Sequence, residues 1–286
     1  MSRSTEIALL AAALAAAAVW LAKLRQQRSL ASILSTVELS AKKAGKPGGE
    51  AGEQEQSIDS LPPPVSRYLK HALSAEKRRI VLARYRQVGT LRTDARSERW
   101  FNFTASQITS PSLSEFVWDA RIYLVPLLHL RVVDSLVGGR GAGQVTLMSA
   151  VPIGSAGGTA EMNSSSLHRF LAESVWCPTA LLPSPALRWT PIDDARALAT
   201  LTRGDVSVSL EFRFNRRNEV ESIYTPGRWG SFDGGFKRVA WEGVFRDYAR
   251  RDGVLVPTQG EVGWYADGEW RSVWRGLVVS LELEFE

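Results

Sequence analysis

"VSVSLEFRFN", residues 206–215, decides the fold class. Val206, Val208, Leu210, Phe212 and Phe214 alternate with Ser207, Ser209, Glu211 and Arg213. A period of two suits a strand with one buried face and suits no helix. "EFVWDARIYL" (115–124) repeats it, with Phe116, Trp118, Ala120, Ile122 and Leu124 on one face. Near the end, Val273, Leu277, Val279, Leu281, Leu283 and Phe285 oppose Glu282 and Glu284. Weaker alternations run near 81–92, 97–108, 127–137, 143–151, 195–202, 219–225, 239–249 and 260–266. Gly, Pro, Asn and Asp separate them at the spacing of an antiparallel meander of about ten strands. Twist curls a sheet that wide toward a barrel or half-barrel. Its concave apolar face must then be filled by side chains, a helix or a ligand.

"RFLAESVWCPTALLPS" (169–184) supplies the helix. The spacing predicts that a short amphipathic helix in the segment 166–182 closes the sheet, capped by the Ser run 164–166 and stopped at Cys177 by Pro178. Leu167, Phe170, Leu171, Val175 and Cys177 fall on one side; Arg169, Glu173 and Trp176 fall on the other. The apolar side closes the sheet, and the other faces water or a second layer. Arg169 and Glu173 stand four apart, which on a surface is an ion pair worth a few tenths of a kcal/mol. Shielded by Trp176, the same pair becomes a buried anchor. "LPPPVSRYLKHAL" (61–73) predicts a second amphipathic helix opened by its prolines.

The N-terminus reads differently. "IALLAAALAAAAVWLA" (7–22) is an uncharged apolar run, slightly short of the roughly 20 residues that span a bilayer. Trp20 ends it, where an amphipathic ring sits at the interface. Arg3 is balanced by Glu6 before the run, and Lys23, Arg25 and Arg28 follow it, which favours an uncleaved anchor over a signal peptide. The positive flank predicts a cytoplasmic C-terminal domain by a margin of a few charges, an extracytoplasmic one being the alternative. The expected organisation is an anchor over 1–28, a flexible tether over 29–60 and one β-rich domain over 61–286. The Gly-, Glu- and Gln-rich stretch 41–60 has nothing to bury, and twenty such residues span roughly 25 Å.

Composition bounds function less tightly. The 286 residues include ten tryptophans, all but Trp20 between Trp100 and Trp274. They suit a wide β core or an aromatic groove. The net charge of +5 is spread along the chain among acids, and no nucleic-acid recognition motif accompanies it. A preference for anionic lipid surfaces is the better reading. Cys177 is the only cysteine, so no intrachain disulfide forms. His71, His129 and His168 show no metal-ligand spacing, so neither metal nor cofactor is expected. "VGGRGAGQ" (137–144) lies between strand patterns, which makes it a hairpin and not a phosphate loop. Asp193 and Asp194 read as a turn after Pro191.

In order along the chain, "LPPPVSRYLKHAL", "FVWDARI" (116–122), "RFLAESVWCPTALLPS", "WEGVFRDY" (241–248) and "DGEWRSVWRG" (267–276) resemble a widespread bacterial family of unknown function. Its members carry an apolar anchor, an LPxPVxRYL opening and an RxLxExxWxPTALLP helix. Cys177 departs from the residue usual after the tryptophan, which argues against a family nucleophile there. The resemblance implies no activity. The architecture is similar, by analogy, to lipoprotein-carrier half-barrels. Three functions are left open. The favoured one is a membrane-anchored, non-catalytic binding module for a lipid or other apolar ligand. In it Trp118, Phe170, Trp176, Trp241 and Trp264 line the cavity and Arg169 and Glu173 are polar anchors. The others are an enzyme using Glu173 as acid or base, and a protein-interaction scaffold. Nothing in the sequence sets the oligomeric state.

Overall fold

The computed structural model describes residues 3–45, 57–74, 78–232 and 234–286. Three α-helices, α1 (Arg3–Ala44), α2 (Pro63–Ala72) and α3 (Ala160–Glu173), accompany thirteen strands. The first six are β1 (Ile80–Leu91), β2 (Phe101–Ser110), β3 (Glu115–Val125), β4 (Leu128–Val137), β5 (Arg140–Leu147) and β6 (Val151–Gly157). After α3 come β7 (Leu187–Pro191), β8 (Arg196–Arg203), β9 (Val206–Phe214), β10 (Val220–Phe232), β11 (Gly235–Arg251), β12 (Val254–Ala266) and β13 (Glu269–Phe285). All are antiparallel in one sheet, ordered 6-5-4-3-2-1-13-12-11-10-9-8-7. Each strand pairs with its sequence neighbour except at β1–β13, where the ends of the domain meet, and at β6 and β7, the two open edges. The alternation of the opening stretch is realised in β9, where Val208, Leu210, Phe212 and Phe214 are buried.

The expected curled sheet closed by one short helix is therefore present. α3 is the connection between the two edge strands, so it crosses the seam of the half-barrel. It packs on β4, β5 and β6 from one side and on β9 and β10 from the other. The helix starts earlier than its sequence predicts: Thr159, whose side chain accepts from the Met162 amide at 3.2 Å, is the cap, and Ser164–Ser166 lie inside. It also ends earlier, at Glu173, and continues as single 3-10 turns at Ser174–Trp176 and Pro178–Leu181. Pro178 forbids a continuous helix through that point. Close approach to β5 depends on Gly141, where a Cβ would lie 2.5 Å from both the Met162 carbonyl and Ser166 Oγ. "VGGRGAGQ" forms the β4–β5 hairpin, with Gly138 and Gly139 both at positive φ as a tight primed turn requires.

The tether expected from residue 29 onward is corrected in part. α1 is one helix of 42 residues, about 63 Å long, running to Ala44. Leu30, Ile33, Leu34, Val37 and Ala41 form a stripe at helical spacing that packs on the convex face of the sheet against Val81, Ile108, Val117 and Val133. That stripe explains why Val117 is apolar although Trp118 beside it faces the concave side. Glu38 and Glu284 both pair with Arg84, and Lys42 reaches Glu284 at 3.8 Å. The remainder of the tether, 46–56, lies outside the described residues. Ile58, in a 3-10 turn, packs against the main core, so the folded part begins slightly before Leu61. α1 is long and apolar enough to cross a membrane. Toward its N-terminus it leaves the sheet, and Ile7, Leu9, Leu10, Leu14 and Trp20 are exposed.

Candidate functional site

Side chains fill the concave face only in part. A cavity of about 300 Å³ lies between α3, the turn bearing Trp176, and strands β1, β3, β4 and β10–β13. Its walls are mostly apolar, from Trp118, Ile122, Val132, Trp241, Val262 and Trp274. Its polar groups are Arg92, Asp134, Arg169, Glu173 and Arg228. The indole of Trp118 donates to Gln87 Oε1 at 2.9 Å and that of Trp176 to the Pro257 carbonyl at 2.9 Å, so both rings are fixed. The Trp241 indole N–H is buried without a partner.

Arg169 and Glu173 are not a surface pair. Arg169 Nε donates to Glu173 Oε1 at 2.7 Å, and its Nη1 donates to Asp134 Oδ2 at 2.9 Å. The guanidinium also lies 4.8 Å from the centroid of the Trp118 ring and 5.0 Å from that of Phe116. Less than a fifth of either side chain, Arg169 or Glu173, is accessible. Glu173 Oε2 accepts from Gln107 Nε2 at 2.7 Å, so both of its oxygens are engaged. Burial pushes the Asp134 carboxyl above its ordinary range, against the pull of Arg169. Breaking such an enclosed pair leaves an uncompensated charge, which costs about 3–5 kcal/mol, against tenths for an exposed helix pair.

Arg228 is placed differently. Its guanidinium stacks 4.4 Å from the Trp241 centroid and 5.3 Å from that of Trp264. Nε donates to the Ser165 carbonyl of α3 at 3.3 Å. Burial and the neighbouring Arg169 push its pKa down to about 9. Asp134 and Glu173 act on it through space, but neither bonds it. Arg92, by contrast, is spent on the Ser272 and Ser97 carbonyls at 2.5 and 2.7 Å.

Of the residues expected from the sequence, Arg169, Glu173, Trp176, Trp118 and Trp241 come together on the cavity wall. Phe170 does not: it is buried in the core on the other side of α3. Trp264 stands behind Trp241 and lines a neighbouring cleft with Phe232 and Arg92. Asp134, Arg228 and Trp274 were missed. Asp134 left a signal, since it sits on the inward face of β4 between Val132 and Leu136. Arg228 left none, because an irregularity in the β10–β11 register between Thr225 and Arg228 re-aims it. Asp193 and Asp194 form the expected turn, Asp193 accepting from the Ala195 amide at 3.0 Å and pairing with Arg196. Cys177 is buried, its Sγ 2.6 Å from the Tyr85 hydroxyl, and burial pushes the thiol up to about 12. Among the described residues no three His, Cys, Asp or Glu side chains cluster as a metal site would need.

With this geometry in view, comparison with known proteins places the chain. The profile of a family of unknown function, DUF6544, matches residues 52–276. The chain belongs to DUF6544. The match takes in β1 to β12, the first half of β13, and α3 with the cavity beneath it. No curated protein matches this DUF6544 member. Among solved structures it is similar to a LolA superfamily protein from Nitrosomonas europaea, at 9% identity and a TM-score of 0.40, over 77% of this chain and 93% of that one. It is also similar to a beta-barrel-like protein of a domain of unknown function, DUF1849, from Brucella abortus. There the identity is 12% and the TM-score 0.23, over 73% and 100% of the two chains.

Proposed function

We propose that this protein binds a lipid or other apolar small molecule in the cavity beneath α3, without catalysis, at a membrane into which α1 is anchored. The cavity itself carries this reading. It is a concave, partly open cavity walled by aromatic and aliphatic side chains and provided with a few fixed polar groups, as small-molecule sites are. At about 300 Å³ it is at the small end of such sites and suits one acyl chain or a molecule of that size. Trp118, Trp176 and Trp241 supply the apolar contact. Arg169 and Glu173 hold the polar end of the cavity in shape. A role for Glu173 as acid or base is less well supported, because Arg169 and Gln107 hold both its oxygens.

The placement of the cavity suits a membrane ligand. Leu21, Ala22 and Arg25 of α1 lie beside Ala150 and Pro152, at the start of β6. The apolar segment of α1 therefore extends past the β3–β4 and β5–β6 tips. Those tips are apolar and open: Leu127 is 93% exposed, and Val125, Met148, Val151 and Ile153 are exposed too. Leu127 and Met148 also hold positive φ angles of 70° and 53°, where glycine or asparagine is usual. Ile122 and Val132, on the cavity wall, belong to the same β3–β4 hairpin. The cavity thus stands directly behind the tips that touch the bilayer.

The test is native mass spectrometry of the full chain released from nanodiscs, with solvent extraction of what stays bound. A reproducible lipid adduct on the wild type, lost when Ala172 on the cavity wall is changed to Phe, is the expected result. An unliganded wild type, or an adduct that A172F leaves in place, overturns it.

A further inference from the structure

The charges that face the cavity are unevenly partnered. Two acids and three arginines face it. Asp134 and Glu173 are both bonded to Arg169, and Glu173 is further held by Gln107. Arg92 is turned to backbone carbonyls outside that cluster, with Glu98 at 3.8 Å. That leaves Arg228 with one backbone carbonyl, two indole faces and, among the described residues, no carboxylate within 4 Å. A guanidinium offers five N–H donors in a planar fork that fits carboxylate and phosphate oxygens. Held against Trp241 and Trp264, its plane is oriented in advance, so little rotamer freedom is left to lose on binding. A buried cation with no bonded carboxylate destabilises the empty protein, and an anion that bonds it relieves this. Conversely, a neutral ligand would leave that cation unpaired and drier than before.

Building on the binding function proposed above, we infer that the ligand is an acidic amphiphile with a single chain, its carboxylate or phosphate paired with Arg228 and its chain against Trp118, Ile122, Val132 and Trp274. The Arg169 guanidinium is already shared by two carboxylates, so that cluster shapes the cavity wall and does not compete for the anion. Burial and Arg169 oppose the charge that Arg228 carries in the empty cavity, and an arriving anion stabilises it.

The experiment uses the full chain in phosphatidylcholine nanodiscs and compares oleate, oleoyl lysophosphatidic acid and mono-oleoylglycerol by the bound fraction in native mass spectra. Wild type takes up at least one of the two acids roughly tenfold or more better than the neutral glyceride, the size expected of a charge-assisted hydrogen bond. Which acid wins identifies the head group as carboxylate or phosphate. In R228Q that ratio falls toward one, whereas R228K, which keeps the charge and loses the fork, retains part of it. Equal uptake of acids and glyceride by the wild type overturns the inference and leaves lipid binding standing. So does an acid preference that R228Q keeps. Failure of all three to bind overturns the binding function itself.

Discussion

Arg169 and Arg228 face the same cavity, and their surroundings give them opposite standing. Two carboxylates hold the first in its charged state, while the second is buried against indoles with its charge opposed. The same field reaches His168, which is 5% exposed and donates Nδ1–H to the Ser164 carbonyl at 2.9 Å. Burial, with Arg228 and Arg238 adding to it, lowers its pKa from 6.5 to about 4. Above pH 6.5 the ring is neutral in both folded and unfolded chains and stability is complete. As pH falls below that, the unfolded chain takes a proton that the folded one refuses, until the folded ring also titrates near 4. At pH 5 the loss is about 2 kcal/mol. Urea denaturation at pH 7 and pH 5 checks this: H168Q, which can still donate to Ser164, should lose about 2 kcal/mol less than the wild type. Equal losses would place the acid sensitivity elsewhere. None of this was legible in sequence, where His168 was one histidine near a helix start. Its partners come from β10 and β11, sixty to seventy residues away.

At the scale of elements, the sheet was the most legible part, because alternation is a local property of each strand. Three features escaped. β6, "VPIGSAG", is exposed along its whole length and so has no face to alternate, and β7 is a five-residue edge. The C-terminal half of α1 was hidden by polar neighbours: Ser, Thr and Glu between Leu30 and Ala41, with Lys42 and Lys43 just after, gave it the composition of a linker. The spacing of Leu30, Ile33, Leu34, Val37 and Ala41 nevertheless announces a helix with one buried stripe. Packing gives a direct test against a tether. Val37 is fully buried and Leu39, two residues on, is 70% exposed. Val37→Ala removes two buried methyl-sized groups, which costs about 2 kcal/mol. Leu39→Ala should cost no more than about 0.5 kcal/mol. Guanidinium denaturation of the full chain, followed by tryptophan fluorescence, measures both. Were 29–44 a free tether, the two substitutions would be equally silent.

Across the whole molecule the decisive relation is between a helix on the outside of the sheet and a cavity on the inside. Because α1 is continuous through its packed stripe, its apolar N-terminal segment is indexed to the sheet and is no loose leash. With α1 inserted as proposed, the domain should take one orientation at the bilayer, with the β3–β4 and β5–β6 tips against the head groups. The opposite turn of the same strands, Gly138–Gly139, stands about 33 Å away, the length of a ten-residue strand. Cys177 makes this measurable in the native chain, since its thiol is buried and stays protonated at neutral pH. A second cysteine at an exposed site is therefore labelled selectively. L127C and R140C, each carrying an environment-sensitive fluorophore, should respond differently to nitroxide-labelled lipid head groups in nanodiscs. The probe at 127 should be strongly quenched and blue-shifted, and the probe at 140 should emit as it does in buffer. If both are quenched alike, the domain rolls freely on its anchor and the rigid index fails. If only 140 is quenched, the bilayer meets the other end of the sheet, and a ligand leaving the cavity would have to cross the width of the domain to reach it.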